Sequence, residues 1–492
     1  MSDRAPRQNG ATGVRRRATG RWALVGTVVL ALLVSGTVAV VTMRGGDVVN
    51  EPDVEGERVP MAFGVLGSAC DPARAAALHD AGVRFAEIEV DWAAFEPRPG
   101  EVDGTYGAEL VESVDVCRRA GLGVILTPGL HSAPAWVTDL PGGLYRDQAG
   151  EPGPADVPNV VFSTAVRQAV ADHLAVLDRW LDLDSLAAVR VGTGHNGELG
   201  FPQSETAMPN AFWGFDLAAQ RGTGLADGAE VSPMPGWKPG DPTWNGAAVS
   251  TDQVREWFDW YSASVAEAVL WVVRELRGLG FTRDVHLPLA GRGALPADLQ
   301  RAVENRLDGT ADRDGSLESG LFYPDQLRRI ADSLAESEQP GWGTVSADSS
   351  SVDDATSVQA RAQDPPQDHC RPEDLTTDLL TDPTVIEWPS HRWTVANARQ
   401  AGLGVVGENP GSPNTPGTGG NDLTDSSEEQ MIAAPEYAQE CGMTLFQWAF
   451  EDDLFDRDQD GLQAYARRIR DLTRPSGRPS SASLRAGRWG QP

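Results

Sequence analysis

The sequence predicts an α/β fold, a (β/α)8 TIM barrel with long insertions in its βα loops, preceded by one N-terminal transmembrane helix. Three observations carry that expectation. Short apolar runs rich in β-forming residues alternate with helical periodicity from residue 61 onward. The alternation supplies eight candidate strands, the number that closes such a barrel. A charge-free apolar run stands near the N-terminus.

The candidate strands are 62–66 (AFGVL), 84–90 (RFAEIEV), 123–127 (GVILT), 188–191 (AVRV), 285–289 (VHLPL), 404–407 (GVVG) and 444–448 (TLFQW), with an eighth at 343–347 (GTVSA). Helical stretches fall between them, among them 72–81, 108–120 and 163–181. The last carries an amphipathic stripe of Val166, Val170, His173, Leu174, Leu177, Trp180 and Leu181. Trp257 and Trp260 lie in another helical stretch, 254–276, where packing is their default role. Repeated β-then-α units imply parallel strands. The structural rival is an open doubly wound sheet. No GxGxxG follows the first strand, which counts against its nucleotide-binding version. Two stretches interrupt the alternation: 202–250, rich in Trp, Pro and Gly, and 347–382, rich in Ser and Asp. In a barrel both are βα insertions over one mouth.

Residues 22–43 form a run of 22 residues without a charge. At 1.5 Å per residue it reaches about 33 Å, enough for a hydrocarbon core of about 30 Å. Arg15, Arg16, Arg17 and Arg21 precede it, so the positive-inside rule keeps that flank in the cytoplasm. The expected organisation is a cytoplasmic basic segment (1–21), an anchor (22–43), a stalk (44–58), the barrel (59–474) and a disordered tail (475–492). The barrel is then extracytoplasmic. The alternative is secretion after cleavage of a signal peptide, with Thr37-Val38-Ala39 as a poor cleavage site. Cys70, Cys117, Cys370 and Cys441 contain no CxxC, and in an oxidising compartment they leave three full pairings open.

The net charge of −30 is unevenly spread. Residues 1–44 hold seven Arg and one acid, so the remainder carries −36. A body that acidic repels phosphate backbones, which excludes nucleic acid as a partner class. The 15 Trp, against 13 Phe and 6 Tyr, suit a protein that stacks on flat apolar faces such as sugar rings.

The chemistry lies at two strand exits. After the fourth strand the chain reads VRVGTGHNGELGFP (189–202), with Glu198 among glycines. After the seventh it reads GVVGENPG (404–411), with Glu408 ending an apolar strand. In a barrel the strand C-termini converge, so Glu198 and Glu408 face each other across one pocket. Paired carboxylates are what glycoside hydrolysis needs, one protonated to supply the leaving oxygen, one ionised to attack or to activate water. The bland alternative is two solvated loop residues. A separation of about 5–5.5 Å implies retention and about 6.5–9.5 Å inversion.

These residues resemble known families. GELGFP (197–202) and VVGENP (405–410) are similar to the two catalytic-Glu segments of the beta-amylase family. DWAAFEPRPG (91–100) and TPGLHSAPAW (127–136) are similar to segments after strands 2 and 3 of family 42 beta-galactosidases, and YRDQAG (145–150) suits either. The resemblance spans about 61–460 and rests on these motifs. It implies Glu198 as general acid and Glu408 as base or nucleophile. The retaining beta-galactosidase clan places Asn directly before the acid, whereas here Gly197 separates Asn196 from Glu198.

The remaining substrate-binding candidates are Trp92, His131, Trp136, Asp147, His195, Asn196, Asn409 and Trp448, with Trp213 as a further stacking platform. His195-x-x-Glu198 is not on a helix and HExxH is absent, so no metal is expected, nor any organic cofactor. The run 456–461 copies the start of an EF-hand, but its twelfth residue is Arg467 where a bidentate Glu is required, so no such calcium loop is expected. The sequence thus points to a membrane-anchored glycoside hydrolase with a carbohydrate substrate. The alternative is a surface protein that binds glycan or cell-wall polymer without cleaving it.

Overall fold

Eight parallel strands close into a barrel in the computed structural model, which describes residues 61–203, 210–310, 315–411, 427–455 and 460–474. The strands are β1 (Ala62–Val65), β2 (Phe85–Glu89), β3 (Gly123–Thr127), β4 (Ala188–Arg190), β5 (Asp284–Leu289), β6 (Val345–Ser349), β7 (Gly404–Glu408) and β8 (Leu445–Trp448). Each pairs with the next in sequence, and β8 pairs back onto β1 with Ala62 opposite Leu445. One long helix follows each strand: α1 (Pro72–Ala81), α2 (Gly104–Arg119), α3 (Thr164–Leu181), α4 (Thr251–Gly278), α5 (Tyr323–Ser337), α6 (Ser390–Ala401), α7 (Ser427–Glu440) and α8 (Asp460–Thr473).

Local chemistry starts and stops these helices. The Asp71 carboxylate accepts from the N–H groups of Ala73 and Arg74, Pro72 opens α1, and Gly82 ends it at φ 104°. Ser250 and Gln253 form a reciprocal capping box on α4.

The two faces of the sheet do different work. Outward residues such as Phe63, Ile88, Leu126, Leu287 and Phe446 join the helices in one continuous apolar layer. Inside the barrel a thin apolar plug of Ile125, Ala188, Val406 and Leu445 forms a separate cluster. Towards the strand C-termini the inward positions turn polar: Glu87, Arg190, His286, Asp348, Glu408 and Gln447, all buried or nearly so.

Three sequence expectations need adjustment. The eighth candidate strand, GTVSA, is displaced: β6 runs to Ser349, because Asp348 and Ser349 continue the strand rather than opening the insertion. The stretch 202–250 contains a short helix, Leu217–Arg221, and a hairpin of Thr243–Trp244 with Ala247–Ala248. The cysteines pair as Cys70–Cys117 and Cys370–Cys441. The expected anchor 22–43, the segments 1–21 and 44–58, the tail 475–492 and positions 456–459 of the EF-hand-like run lie outside the described residues. Among the described residues no helix is long and apolar enough to cross a membrane.

Candidate active site

All eight strands contribute at or just after their C-terminal ends to one cavity of about 570 Å³. Gly67 follows β1, Glu89 ends β2, Thr127 ends β3 and Arg190 ends β4. Ala290 follows β5, Ser350 follows β6, Glu408 ends β7 and Phe450 follows β8.

The loop after β4 explains how Glu198 enters this cavity. Beyond Arg190 the chain bulges out and returns to the sheet at Leu199, which bridges Leu289 at the end of β5. The Glu198 carbonyl accepts from the N–H groups of Thr193 and Gly194 at 3.0 and 2.8 Å, which pins the loop's neck. Asn196 and Gly197 both have left-handed backbone, φ 57° and 69°. A Cβ on Gly197 would lie 3.0 Å from His131 Nδ1, and one on Gly192 would lie 1.9 Å from the Gly197 carbonyl oxygen. The glycines between the strand and the acid are therefore required by turn and clearance.

Glu198 is largely withdrawn from water, and burial pushes its carboxyl above the ordinary range while Arg190 pulls against it. Ser350 Oγ lies 2.9 Å from Glu198 Oε1 and 2.6 Å from the Leu289 carbonyl oxygen. Ser350 has one proton for two acceptors: donation to the Leu289 carbonyl leaves its oxygen free to accept from a protonated Glu198, whereas donation to Glu198 serves its carboxylate.

Glu408 meets the opposite charge. Arg190 Nη2 stands 2.9 Å from its Oε2 and donates to its Oε1 at 3.1 Å. Burial pushes Glu408 well up, Arg190 opposes that, and Asp348, Glu198 and Glu87 raise it further. Arg190 Nε also lies 3.4 Å from Asp348 Oδ2. Glu87 takes an N–H from Gly67 at 2.9 Å. His286, buried beside Arg190, is held neutral, its pKa lowered to about 3 by burial and by that charge. Nearer the rim, His131 Nε2 sits 3.1 Å from Glu89 Oε1, and this contact holds Glu89 below the usual carboxylate range.

Of the residues expected from sequence, Glu198, Glu408, His131, Asn196 and Asn409 line the cavity. Asn409 is a brace as well, bonded through its amide to both backbone groups of Ala449. The others are elsewhere. Trp92 is fully buried behind β2, stacked on His173 at 4.3 Å and donating to Glu96. Trp136 donates to the Glu96 carbonyl oxygen, and Trp213 is buried and donates to the Pro202 carbonyl oxygen. Trp448 packs outward near Tyr465. Asp147 closes its own turn by accepting from Ala149 and Glu151 N–H groups. His195 is exposed and is not part of the cavity lining. These Trp side chains lie outside the cavity, and among the described lining residues the Phe, Tyr or Trp of the mouth is Phe450, half exposed and close to Gly67 and Gly411.

Arg190, Asp348, Glu87, Glu89, Ser350 and Phe450 were not singled out from sequence. The signal for Glu87, Glu89 and Arg190 was present. Charged residues inside otherwise apolar strands (RFAEIEV, AVRV) have no reason to be there unless they face a polar interior.

Fold and site together define a (β/α)8 barrel whose candidate site lies at the C-terminal face of the strands. Among solved structures the chain is similar to the catalytic domain of beta-amylase from Paenibacillus polymyxa, at 12% identity and TM-score 0.55 over 84% of this chain and 99% of that one. It is also similar to beta-galactosidases from the psychrophilic Marinomonas ef1 (15% identity, TM-score 0.52) and from the haloarchaeon Halorubrum lacusprofundi (16%, 0.50), again over 84% of this chain. The match spans 59% and 58% of the length of those two enzymes. At such identities the likeness is one of fold. No family model matches the chain, and no curated protein matches it in sequence.

Proposed function

We propose that the protein is a glycoside hydrolase that cleaves an O-glycosidic bond between Glu198, the proton donor, and Glu408, the second carboxylate. The observation that carries this reading is the shared cavity. Two carboxylates, from the loop after β4 and from the end of β7, line it, one pushed toward its protonated form by burial, the other held against a guanidinium. A proton donor must be neutral at the start of the reaction, and the partner must be anionic to attack the anomeric carbon or to take a proton from water. Phe450 offers the apolar face of a sugar ring something to stack on, and Glu89, His131 and Asn196 offer polar partners for hydroxyl groups. The solved neighbours at this fold include a beta-amylase and beta-galactosidases, which supports a carbohydrate as substrate.

The proposal extends to location. Residues 22–43 anchor the chain, with the barrel outside the cytoplasm, and the two disulfides suit an oxidising compartment.

The test is nitrophenol release from a panel of aryl glycosides by the wild type, Glu198→Gln and Glu408→Gln. The expected outcome is cleavage of at least one substrate, with kcat/KM reduced at least about 1000-fold in Glu408→Gln. A wild type that cleaves no glycoside, yet binds glycan equally well in all three forms, would establish the binding protein instead.

A further inference from the structure

The interior below the cavity contains a buried carboxylate with no part in the mechanism above, Asp348. Asp348 projects from β6 next to Glu408 on β7, and it is 1% exposed. Neither of its carboxylate oxygens has a hydrogen-bond partner among the described residues. Its one close charge is Arg190 Nε at 3.4 Å, whereas the same guanidinium approaches Glu408 to 2.9 Å and donates to it.

We propose that Asp348 is a positioning residue that keeps, as a neutral acid, the one proton the Asp348–Glu408 pair retains, leaving Glu408 ionised against Arg190. The inference rests on the reading of Glu408 as the second carboxylate of the reaction.

The seat of the proton follows from a count of charge around a carboxylate that is itself closed to water. Arg190 from β4 lies beside Asp348, Glu408 from β7 and Glu198 from the β4 loop feel charge on Asp348, and His286 from β5 and Glu87 from β2 face the same guanidinium. Arg190 is the cation of that set, since His286 is held neutral. Glu87 accepts from the Gly67 N–H, yet burial pushes its carboxyl up as well, so it is left out of the count. Were Asp348 and Glu408 both ionised, two buried anions would share one guanidinium. An anion without a hydrogen bond is costly in a buried space. One proton therefore stays, and geometry selects its seat. Charge belongs on the carboxylate that the guanidinium approaches and donates to, and the proton on the one left without donors. Burial drives both Asp348 and Glu408 up from their ordinary ranges, which calls for one retained proton, and the donor geometry decides which of the two holds it. When the fully protonated pair ionises, the Glu408 proton leaves to solvent and Asp348 keeps its own. The trio Arg190⁺, Glu408⁻ and neutral Asp348 is then without net charge.

Infrared spectroscopy at neutral pH reads the proton directly. The wild type is prepared with ¹³C-carboxyl aspartate or ¹³C-carboxyl glutamate, and compared with Asp348→Asn and Glu198→Gln. The expected result is a buried protonated-carboxyl band that shifts with labelled aspartate and is lost in Asp348→Asn. A second band shifts with labelled glutamate and is lost in Glu198→Gln. The inference is overturned if no such band responds to labelled aspartate, or if Asp348→Asn removes a band that responds only to labelled glutamate, which puts the proton on Glu408. The labelled wild type alone decides the first point, whatever the folding of the variants. Aryl glycoside kinetics separate the two levels. Full activity in Glu408→Gln defeats the reading of Glu408, whereas an inactive Glu408→Gln with no aspartate band defeats this inference alone.

Discussion

Glu96 and Glu408 are both buried, both lie near strand C-termini and both belong to segments legible in the sequence, yet their surroundings treat charge in opposite ways. Burial works against the Glu96 anion, but His173, the Gly100 N–H and Trp92 all contact its carboxylate and hold it below the ordinary range. Trp136 ties down its backbone as well. Glu408 has one guanidinium, shared with Asp348, and is pushed up. The difference is the number of donors per anion. A knot with every acceptor served is architecture; a cluster with more acids than donors is poised to move protons.

The contrast places the motifs that resemble two families in different layers. DWAAFEPRPG and TPGLHSAPAW meet in the knot, where Trp92, Glu96, Trp136 and His173 lock the loops after β2 and β3. The loop after β3 in turn carries His131 to the rim, where it meets Glu89 at the end of β2. GELGFP and VVGENP supply the cavity itself.

Breaking the knot has the largest expected effect on stability. Glu96→Ala strands His173 and Trp92 in a buried site and is expected to cost about 3–5 kcal/mol, measured by urea unfolding. The pH signature should follow from the direction of its shift. A carboxyl held low contributes stability above the unfolded-state pKa and loses it as pH falls through the folded value, so the gap between wild type and variant narrows toward acid. A gap unchanged between neutral and acid pH would contradict the reading of Glu96 as an ionised hub.

Glu198 should give the opposite and smaller signature. Its carboxyl is raised, so the folded state holds a proton that the unfolded chain releases at lower pH. Its contribution is full below the unfolded-state pKa of about 4 and is lost as pH rises through the folded value. Glu198→Gln has no such loss. The variant should melt near the wild type at acid pH and above it at neutral pH. A variant that melts below the wild type across the whole range would contradict a neutral, buried Glu198.

Much of this was legible because the strands are short, apolar and regularly interleaved with helices. The helix 72–81 and the strand 123–127 coincide with α1 and β3. What the sequence hid has a common cause. In a barrel whose interior is polar near the mouth, the inward residues look like loop residues. VSADS therefore reads as the start of an acidic insertion, and Asp348 passes unnoticed. The Trp excess misleads for the converse reason: Trp92, Trp213, Trp237, Trp257, Trp388 and Trp393 fill the space around the barrel, fully buried. The aromatic that lines the cavity, Phe450, stands in no motif. Gly197, the departure from the beta-galactosidase pattern, is explained by its left-handed backbone and its clearance from His131.

The central claim is that Glu198 and Glu408 act on one bond as a unit. Its most direct test is kcat/KM of the wild type, Glu198→Gln, Glu408→Gln and the double variant on the best aryl glycoside. Residues that act together are far from additive. The double variant should be no slower than the slower single variant. Losses that multiply in full, or a single variant as active as the wild type, would contradict the account.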